Sequence, residues 1–554
     1  MIEELNPQQI QDLEGARQAV ILLLNLVEEL KQENQNLREE VQRLRDENNR
    51  LKGEQGQPGI KGSKKSSSDH SSEKERRRRR KWQKSSKIDK IAIDRDEVVR
   101  IDKSQLPDDA QFKGHETVVV QDLRIETDNV RFHKEKYYSA SERQSYIAPL
   151  PAGYEGQFGP TVRSLVIAFY YAAGMTEPKV IELLEQMGII ISKGEVSNLL
   201  TKHNEVWQDE AVAVLKAGLA STRWQHIDDT GTRVNGVNQH CHILCNPFYT
   251  WYATRPKKDR LTVIAVLQNN SEPVYLLNEK TNDWLETFAL PRWARRCIGQ
   301  WPQKKRLSLE EIEQLVVRDL AARLNEQQRA RVREAAALTA YYTQGNMPII
   351  PILISDDAPQ FSHLTAEQGL CWIHEGRHYK KLSPFVAYHR QLLDDFLTKF
   401  WNYYHKLQQY RAAPSAAQAA ALDQEFDTLF STKTGYQLLD KRIVTTQAKK
   451  EKLLVVFQYP EIPLHNNPAE LGARQRVRKR DISFGPRTDD GVTSWDTFMT
   501  LAETAKKLGV SFYEYVLDRV SRRYLFPSLA DLIRTQGHPD LSGKRTEHPI
   551  TPDY

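Results

Sequence analysis

Three carboxylates occupy local frames suited to phosphoryl chemistry: Asp228 in HIDDTGTRVNG, Asp356 in PILISDDAPQF and Glu470 in NNPAELGAR. The first two close apolar, strand-like runs, Trp224 to Ile227 and Ile349 to Ile354, whereas Glu470 lies in a polar stretch of Ala, Glu and Arg that reads as a helix. Two strand-end aspartates and one helical glutamate suit a pair of divalent cations, Mg²⁺ or Mn²⁺, which take hard oxygen ligands and keep positions open for water and phosphate. One ion would activate the attacking oxygen and the other would steady the leaving oxygen of a phosphodiester. A single Asp at a strand end more often closes a turn. Each aspartate also has an acidic neighbour, Asp229 or Asp357. Neighbours on a strand face opposite sides, so one of each pair faces the metals, and either assignment can slip by one.

The frames resemble those of the DDE transposases of the insertion-sequence-66 type. The matching pieces are Asp228, Asp229 and Thr230; Asp356 followed by Cys371, Trp372, His374 and Arg377 in CWIHEGRHYKK; Asn466, Asn467, Glu470 and Arg474 in NNPAELGAR; and Ser494 to Val520, similar to the family's closing helices. These stand in the family's order between Gly153 and Leu525. The resemblance implies an RNase H-like core with a helical insertion before the glutamate, and cleavage and transfer of DNA strands. It implies Asp228, Asp356 and Glu470 as catalytic metal ligands, choosing Asp228 over Asp229 and Asp356 over Asp357. Cys371, His374, Arg377 and Asn467 are expected to support the site. For His374 a hydrogen bond to phosphate, water or carboxylate and a purely structural role fit the sequence equally. Family members commonly carry a cysteine zinc module before the catalytic region; here no cysteine precedes Cys241, so that module is expected to lack its metal.

The elements that must position these residues read as an α/β protein: an RNase H-like mixed sheet with a helical insertion, preceded by a coiled coil, a small β module and a helical DNA-binding block. Residues 1–52 carry Leu at 23, 30, 37, 44 and 51, with Val20, Val27, Asn34, Val41 and Asn48 three positions earlier. Leu at d and Val at a favour a two-stranded parallel coil, with the Asn residues holding register, and hence a homodimer. An amphipathic helix packed on its own catalytic domain is the competing reading. Residues 53–87 read as a flexible basic linker. Residues 88–150 read as a small metal-free β module, with strands at Thr117 to Val120 and Val130 to His133. Residues 151–215 read as helices Pro160 to Ala173, Glu177 to Met187 and Lys193 to Val206, the last N-capped by Ser192, in a helix-turn-helix arrangement or an ordinary hairpin. The catalytic region spans 220–525 with insertions near 300–345 and 384–460, and 526–554 is a tail. Aromatics Phe396, Phe400, Trp401, Tyr403 and Tyr404 are expected in a core, not in base stacking. His240, Cys241, His242 and Cys245 alternate along a strand, which spreads them over both faces and disfavours zinc.

The chain has 554 residues, 39% hydrophobic and 9% aromatic, with a formal net charge of +6, enough for a sizeable core in several domains. The positive charge is clustered at Arg76, Arg77, Arg78, Arg79, Arg80 and Lys81, and again at Arg474, Arg476, Arg478, Lys479 and Arg480. Such clusters neutralise phosphates. Arg76 to Arg80, Arg474, Arg478, Lys479 and Arg480, with Lys193 and Lys202 of the helical block, are the expected contacts to double-stranded DNA. Four cysteines argue against a disulfide framework. With no apolar run long enough for a bilayer and no signal peptide, the expectation is a soluble, cytoplasmic, nucleoid-associated protein, with room for accessory proteins of the same element. A DNA-binding regulator without catalysis, or a nuclease of the same fold without strand transfer, are the alternatives.

Overall fold

The computed structural model describes residues 12–51, 91–102, 106–107 and 110–537. The expected basic linker with Arg76 to Arg80 lies outside them. Helix α1 (Leu13–Leu51) covers most of the heptad segment. Among the described residues of the segment expected to be a β module, the strands are those of the hairpin β1 (Lys136–Ser139) and β2 (Gln144–Ile147), and Thr117 to Val120 and Val130 to His133 are irregular. Val118, Val120 and Val130 are exposed, so their β propensity finds no neighbouring apolar face to pack on.

A helical block follows, with α2 (Pro160–Ile167) running into a π-helical turn at Ala168–Ala172, then α3 (Glu177–Gln186), α4 (Lys193–Thr201) and α5 (Glu205–Ala220). Ser192 caps α4 as expected, its hydroxyl accepting from Glu195 N at 3.2 Å. The expected run to Val206 is broken, because His203 takes a left-handed φ of 56° and Asn204 is buried with its amide donating to Ser494 Oγ at 3.0 Å.

The central sheet contains β3 (Trp224–Val234), β4 (Val237–Cys245), β5 (Thr250–Arg255), β8 (Ile352–Ser355) and β9 (Glu367–Leu370), in the order β5-β4-β3-β8-β9. The first three are antiparallel, and β3, β8 and β9 run parallel. Between β5 and β8 lie α6 (Arg260–Leu267), β6 (Tyr275–Leu276), α7 (Glu279–Thr287), α8 (Arg292–Ile298), β7 (Arg306–Leu307), α9 (Leu309–Asp319) and α10 (Glu326–Tyr342). After β9 come α11 (Trp372–Lys380) and a helical layer of α12 (Ala387–Ala412), α13 (Ala416–Phe430), α14 (Gln437–Gln447) and α15 (Lys450–Leu453). Phe396, Phe400, Trp401, Tyr403 and Tyr404 are all buried there around Trp372. They make the layer's core, as their helical spacing predicts.

Helices α16 (Asn467–Ser483), α17 (Asp489–Lys507), α18 (Phe512–Val520) and α19 (Leu529–Gln536) complete the body. Along α17 the residues one turn apart, Asp496, Thr500 and Thr504, accept from the backbone N–H groups of Thr254, Tyr252 and Thr250 at 2.6, 3.1 and 3.2 Å. The edge strand β5 is thereby closed to further pairing. One apolar core joins the helical block to the sheet and to α17 and α18. The expected tail at 526–554 begins as structure, since Leu529, Ala530 and Ile533 of α19 are buried. Among the described residues, no helix is long and apolar enough to cross a membrane.

Candidate active site

Asp228 does not end its strand but sits within β3, whereas Asp356 directly follows β8. The parallel register pairs His226 with Ile354. Two residues further along each chain segment, Asp228 within β3 and Asp356 just past β8 therefore stand at about the same level, and continuing the period of two they share a face. Their neighbours diverge. Asp229 accepts from Gln360 Nε2 at 2.8 Å, and Asp357 receives Lys449 Nζ on one oxygen and faces His378 Nε2 at 3.3 Å on the other.

Glu470 is carried in the first turn of α16, which lies across β3 and β4. Gly472 makes that close approach possible: a Cβ there would fall 2.8 Å from Ile243 Cγ2. The helix start is tied to the strand of Asp228 by Asn466, whose Nδ2 donates to Ile227 O at 2.7 Å while Oδ1 accepts from His226 Nδ1 at 3.1 Å. Burial, then His465, pushes the His226 pKa down to about 3, so the ring is neutral and its proton is on Nδ1. Cys371 supplies the third tie. Its buried sulfur caps α11 by accepting from His374 N at 3.4 Å, and accepts from Asn466 N at 3.2 Å. Burial raises this thiol to about 12, so it is a neutral structural group.

Asp228, Asp356 and Glu470 converge on one open cavity of about 400 Å³, shared with Asp229, Thr230, His374, Arg377, Asn466 and Arg474. Burial, reinforced by the charges of Asp356 and Glu470, raises the Asp228 pKa to about 7, and burial also raises that of Asp356. Arg377 forms a two-pronged ion pair with Glu470 at 3.0 and 2.9 Å. Three clustered carboxylates with one paired guanidinium are an oxygen-rich set fitted to divalent cations, which would offset both the burial and the lesser mutual repulsion that lift Asp228. A second cluster lies alongside: Asp357, His374 and His378 each bring one donor atom to within 4.8 Å of the others. Lys449 already occupies Asp357, and although burial opposes ionisation, Lys449 and His378 hold its carboxyl down at about 2.

Residues 314–494 match the model of the family described as Transposase IS66 family. The chain is also 30% identical over 308 residues to uncharacterized protein y4jO of Sinorhizobium fredii, covering 55% of this chain and 94% of that relative. The chain belongs to the IS66 transposase family.

In this IS66-family chain the expected supporting residues divide. Cys371, His374 and Arg377 line the cavity. Cys371 also acts through the helix cap and the Asn466 contact, whereas Asn467 is buried and does not line the cavity, its Oδ1 lacking a protein partner. The expected DNA contacts divide as well. Arg474 and Arg478 are exposed on one side of α16, and Lys193 is exposed at the start of α4. Lys202 is paired with Asp490 on the surface, and Arg480 is held by Gly231 O and Asp481. Lys479, expected to contact DNA, instead faces the interior. It is buried, donates to Tyr170 O at 2.7 Å and Met175 O at 3.2 Å, and lies 3.2 Å from the centre of the Tyr170 ring. Helical periodicity, not composition, separates it from Arg478, because successive residues of a helix point about 100° apart. Asn466 is a positioning residue beyond the expected set, and its place just before a Pro-containing helix start is the local signal for it. The network of Lys449, Glu375 and Arg442 behind Asp357 had no signal in local sequence.

Proposed function

We propose that the protein is a DDE transposase that binds the ends of a mobile DNA element, cleaves to expose 3′-hydroxyls and joins them to target DNA. The observation that carries this reading is the convergence of Asp228, Asp356 and Glu470 on one open cavity within an IS66-family chain. The strand order, antiparallel on one side of β3 and parallel on the other, with Asp228 on the central strand β3 and Asp356 just past the end of its neighbour β8, supports an RNase H-like core.

Asp228, Asp356 and Glu470 would hold Mg²⁺ or Mn²⁺. When bound, such ions activate the attacking oxygen and stabilise the leaving one. The protein's own part is positional. Asn466 and Cys371 fix the glutamate helix against the aspartate strand, and Arg377 keeps Glu470 oriented toward the cavity. Arg474 borders the cavity, and Arg478, one turn along α16, extends the cationic surface on which a DNA backbone would lie. Exposed Lys193 at the start of α4 offers a further phosphate contact in the helix-turn-helix reading of α3 and α4. The leucine face of α1 would pair two copies, one for each element end.

Incubation with DNA carrying the element's own end, with and without divalent cation, tests the reading. Cation-dependent nicking and joining are expected. Nicking without joining points instead to a nuclease of the same fold, and binding alone to a regulator.

A further inference from the structure

Helix α1 presents two different faces to two different surroundings. On one face, Glu28 is buried, with its carboxylate accepting from Phe385 N at 2.7 Å and Val386 N at 2.9 Å and facing His389 Nδ1 at 3.3 Å. These N–H groups stand at the start of α12, where the helix dipole favours an anion. His389 is itself buried and stacked on Tyr436, with ring centres 4.3 Å apart. One turn earlier, Asn25 donates to Gly435 O at 2.8 Å and accepts from Gln437 N at 2.9 Å. Ile21 fills the space beside Gly435, where a Cβ would meet it at 3.5 Å and where φ is +85°.

The opposite face is open. Val20, Leu23, Val27, Leu30, Leu37, Val41 and Leu44 are all exposed, and they are the a and d positions of the heptad. In that frame Ile21, Asn25 and Glu28 fall at b and f, on the far side. The flanking g positions hold Glu33 and Glu40, and the e positions five residues on hold Arg38 and Arg45. In a parallel pair g meets e of the partner, which matches Glu with Arg; an antiparallel pair would set Arg against Arg and Glu against Glu. The occupant that fits is a second copy of the same helix, parallel and in register.

We propose that α1 is a two-faced strut, latched through Ile21, Asn25 and Glu28 to the helical layer of its own catalytic body and paired through a and d to α1 of a second copy. The inference deepens the pairing of two copies proposed above. Because the latch points away from the seam, the two catalytic bodies flank the coil on opposite sides in a fixed relation, related by a two-fold axis along it. Beyond Gln32 the described side chains of α1 are exposed, so about 28 Å of helix extends past the latch at 1.5 Å per residue.

Full-length protein, without DNA, provides the test. Light scattering should give a dimer. The double variant Glu33→Lys, Glu40→Lys and its counterpart Arg38→Glu, Arg45→Glu should each self-associate at least about tenfold more weakly, while their mixture regains the dimer. With Cys297→Ser and a nitroxide at Lys399→Cys, the latched dimer should give a narrow inter-copy distance distribution. Glu28→Ala, with Glu28→Gln as a milder check, should broaden it while the dimer mass and circular dichroism stay unchanged. A monomer, charge variants that pair with themselves as well as wild type, or an unchanged distribution in both Glu28 variants would overturn the proposal. None of these readings depends on strand cleavage, so they fail or hold independently of the catalytic assignment.

Discussion

Replacing Asp228 by Asn should make the cation-free protein more stable while removing a residue assigned to the chemistry. Burial, then the charges of Asp356 and Glu470, lift the Asp228 pKa from 3.8 to about 7, whereas in the unfolded chain it ionises near the ordinary value of about 3.9. Between those values the folded chain holds a proton that the unfolded chain has released. The group's favourable contribution is therefore complete below the unfolded pKa and is lost as pH rises through the folded one. About three pH units at roughly 1.4 kcal/mol each set a ceiling of about 4 kcal/mol. Water reaching the carboxylate through the cavity mouth reduces this to roughly 1–2 kcal/mol. With an unfolding entropy of about 2.1 cal/mol/K per residue over roughly 400 folded residues, each kcal/mol moves Tm by about 1 °C. Thermal melts in EDTA should thus place Asp228→Asn about 1–2 °C above wild type near pH 8, with the gain falling to roughly a quarter of that near pH 4.5 and vanishing below about pH 3.9. Mn²⁺ should raise the wild-type Tm near pH 8 and move the variant much less. A variant no more stable than wild type near pH 8, or one whose gain does not fall with pH, would refute the reasoning, because it would show that burial and the neighbouring charges do not penalise the ionised carboxylate.

Gly472→Ala should destabilise the protein by about 1–3 kcal/mol and depress cleavage more than DNA binding, since the added methyl pushes the Glu470 helix off Ile243; denaturant titration and gel-shift assays separate the two effects. Arg478→Ala should weaken DNA binding and lower the salt slope by about 1, whereas Lys479→Ala should lower stability and leave the slope unchanged. Equal slopes for both variants would contradict the placement of these side chains. Cys371→Ala should cost about 1 kcal/mol through loss of the helix cap, and Cys371→Ser should recover part of it, read in thermal melts. Arg377→Gln should tighten Mn²⁺ binding about two- to fivefold, because the cation no longer competes with a partly exposed ion pair for Glu470; calorimetric titration reads the change.

The local frames made the ends of this architecture legible. Apolar runs before Asp228 and Asp356, and the Ala- and Arg-rich stretch after Glu470, marked two strands and a helix, and Ser192 marked a helix start. What local sequence does not carry is register and long-range contact. That β3 continues past Asp228 follows from its antiparallel pairing with β4, and β-rich pieces such as Thr117 to Val120 stay irregular because no apolar face meets them. Lys479 reads as one of a run of cations, and only the rotation of α16 turns it onto Tyr170. The heptad of α1 was plain in the sequence, but the latch at Glu28 was not, since its partners Phe385, Val386 and His389 stand more than three hundred residues away.

The central claim is that Asp228, Asp356 and Glu470 act together on DNA strands. Its most direct test is a joining assay with labelled, pre-nicked DNA bearing the element's own end and a plasmid target, comparing wild type with Asp228→Asn, Asp356→Asn and Glu470→Gln in Mg²⁺, Mn²⁺ and EDTA. Cation-dependent joined product is expected from wild type, and none from any of the three variants, all of which still bind the end in gel-shift assays. Joined product that survives any one of the substitutions, or that forms in EDTA, would contradict the claim.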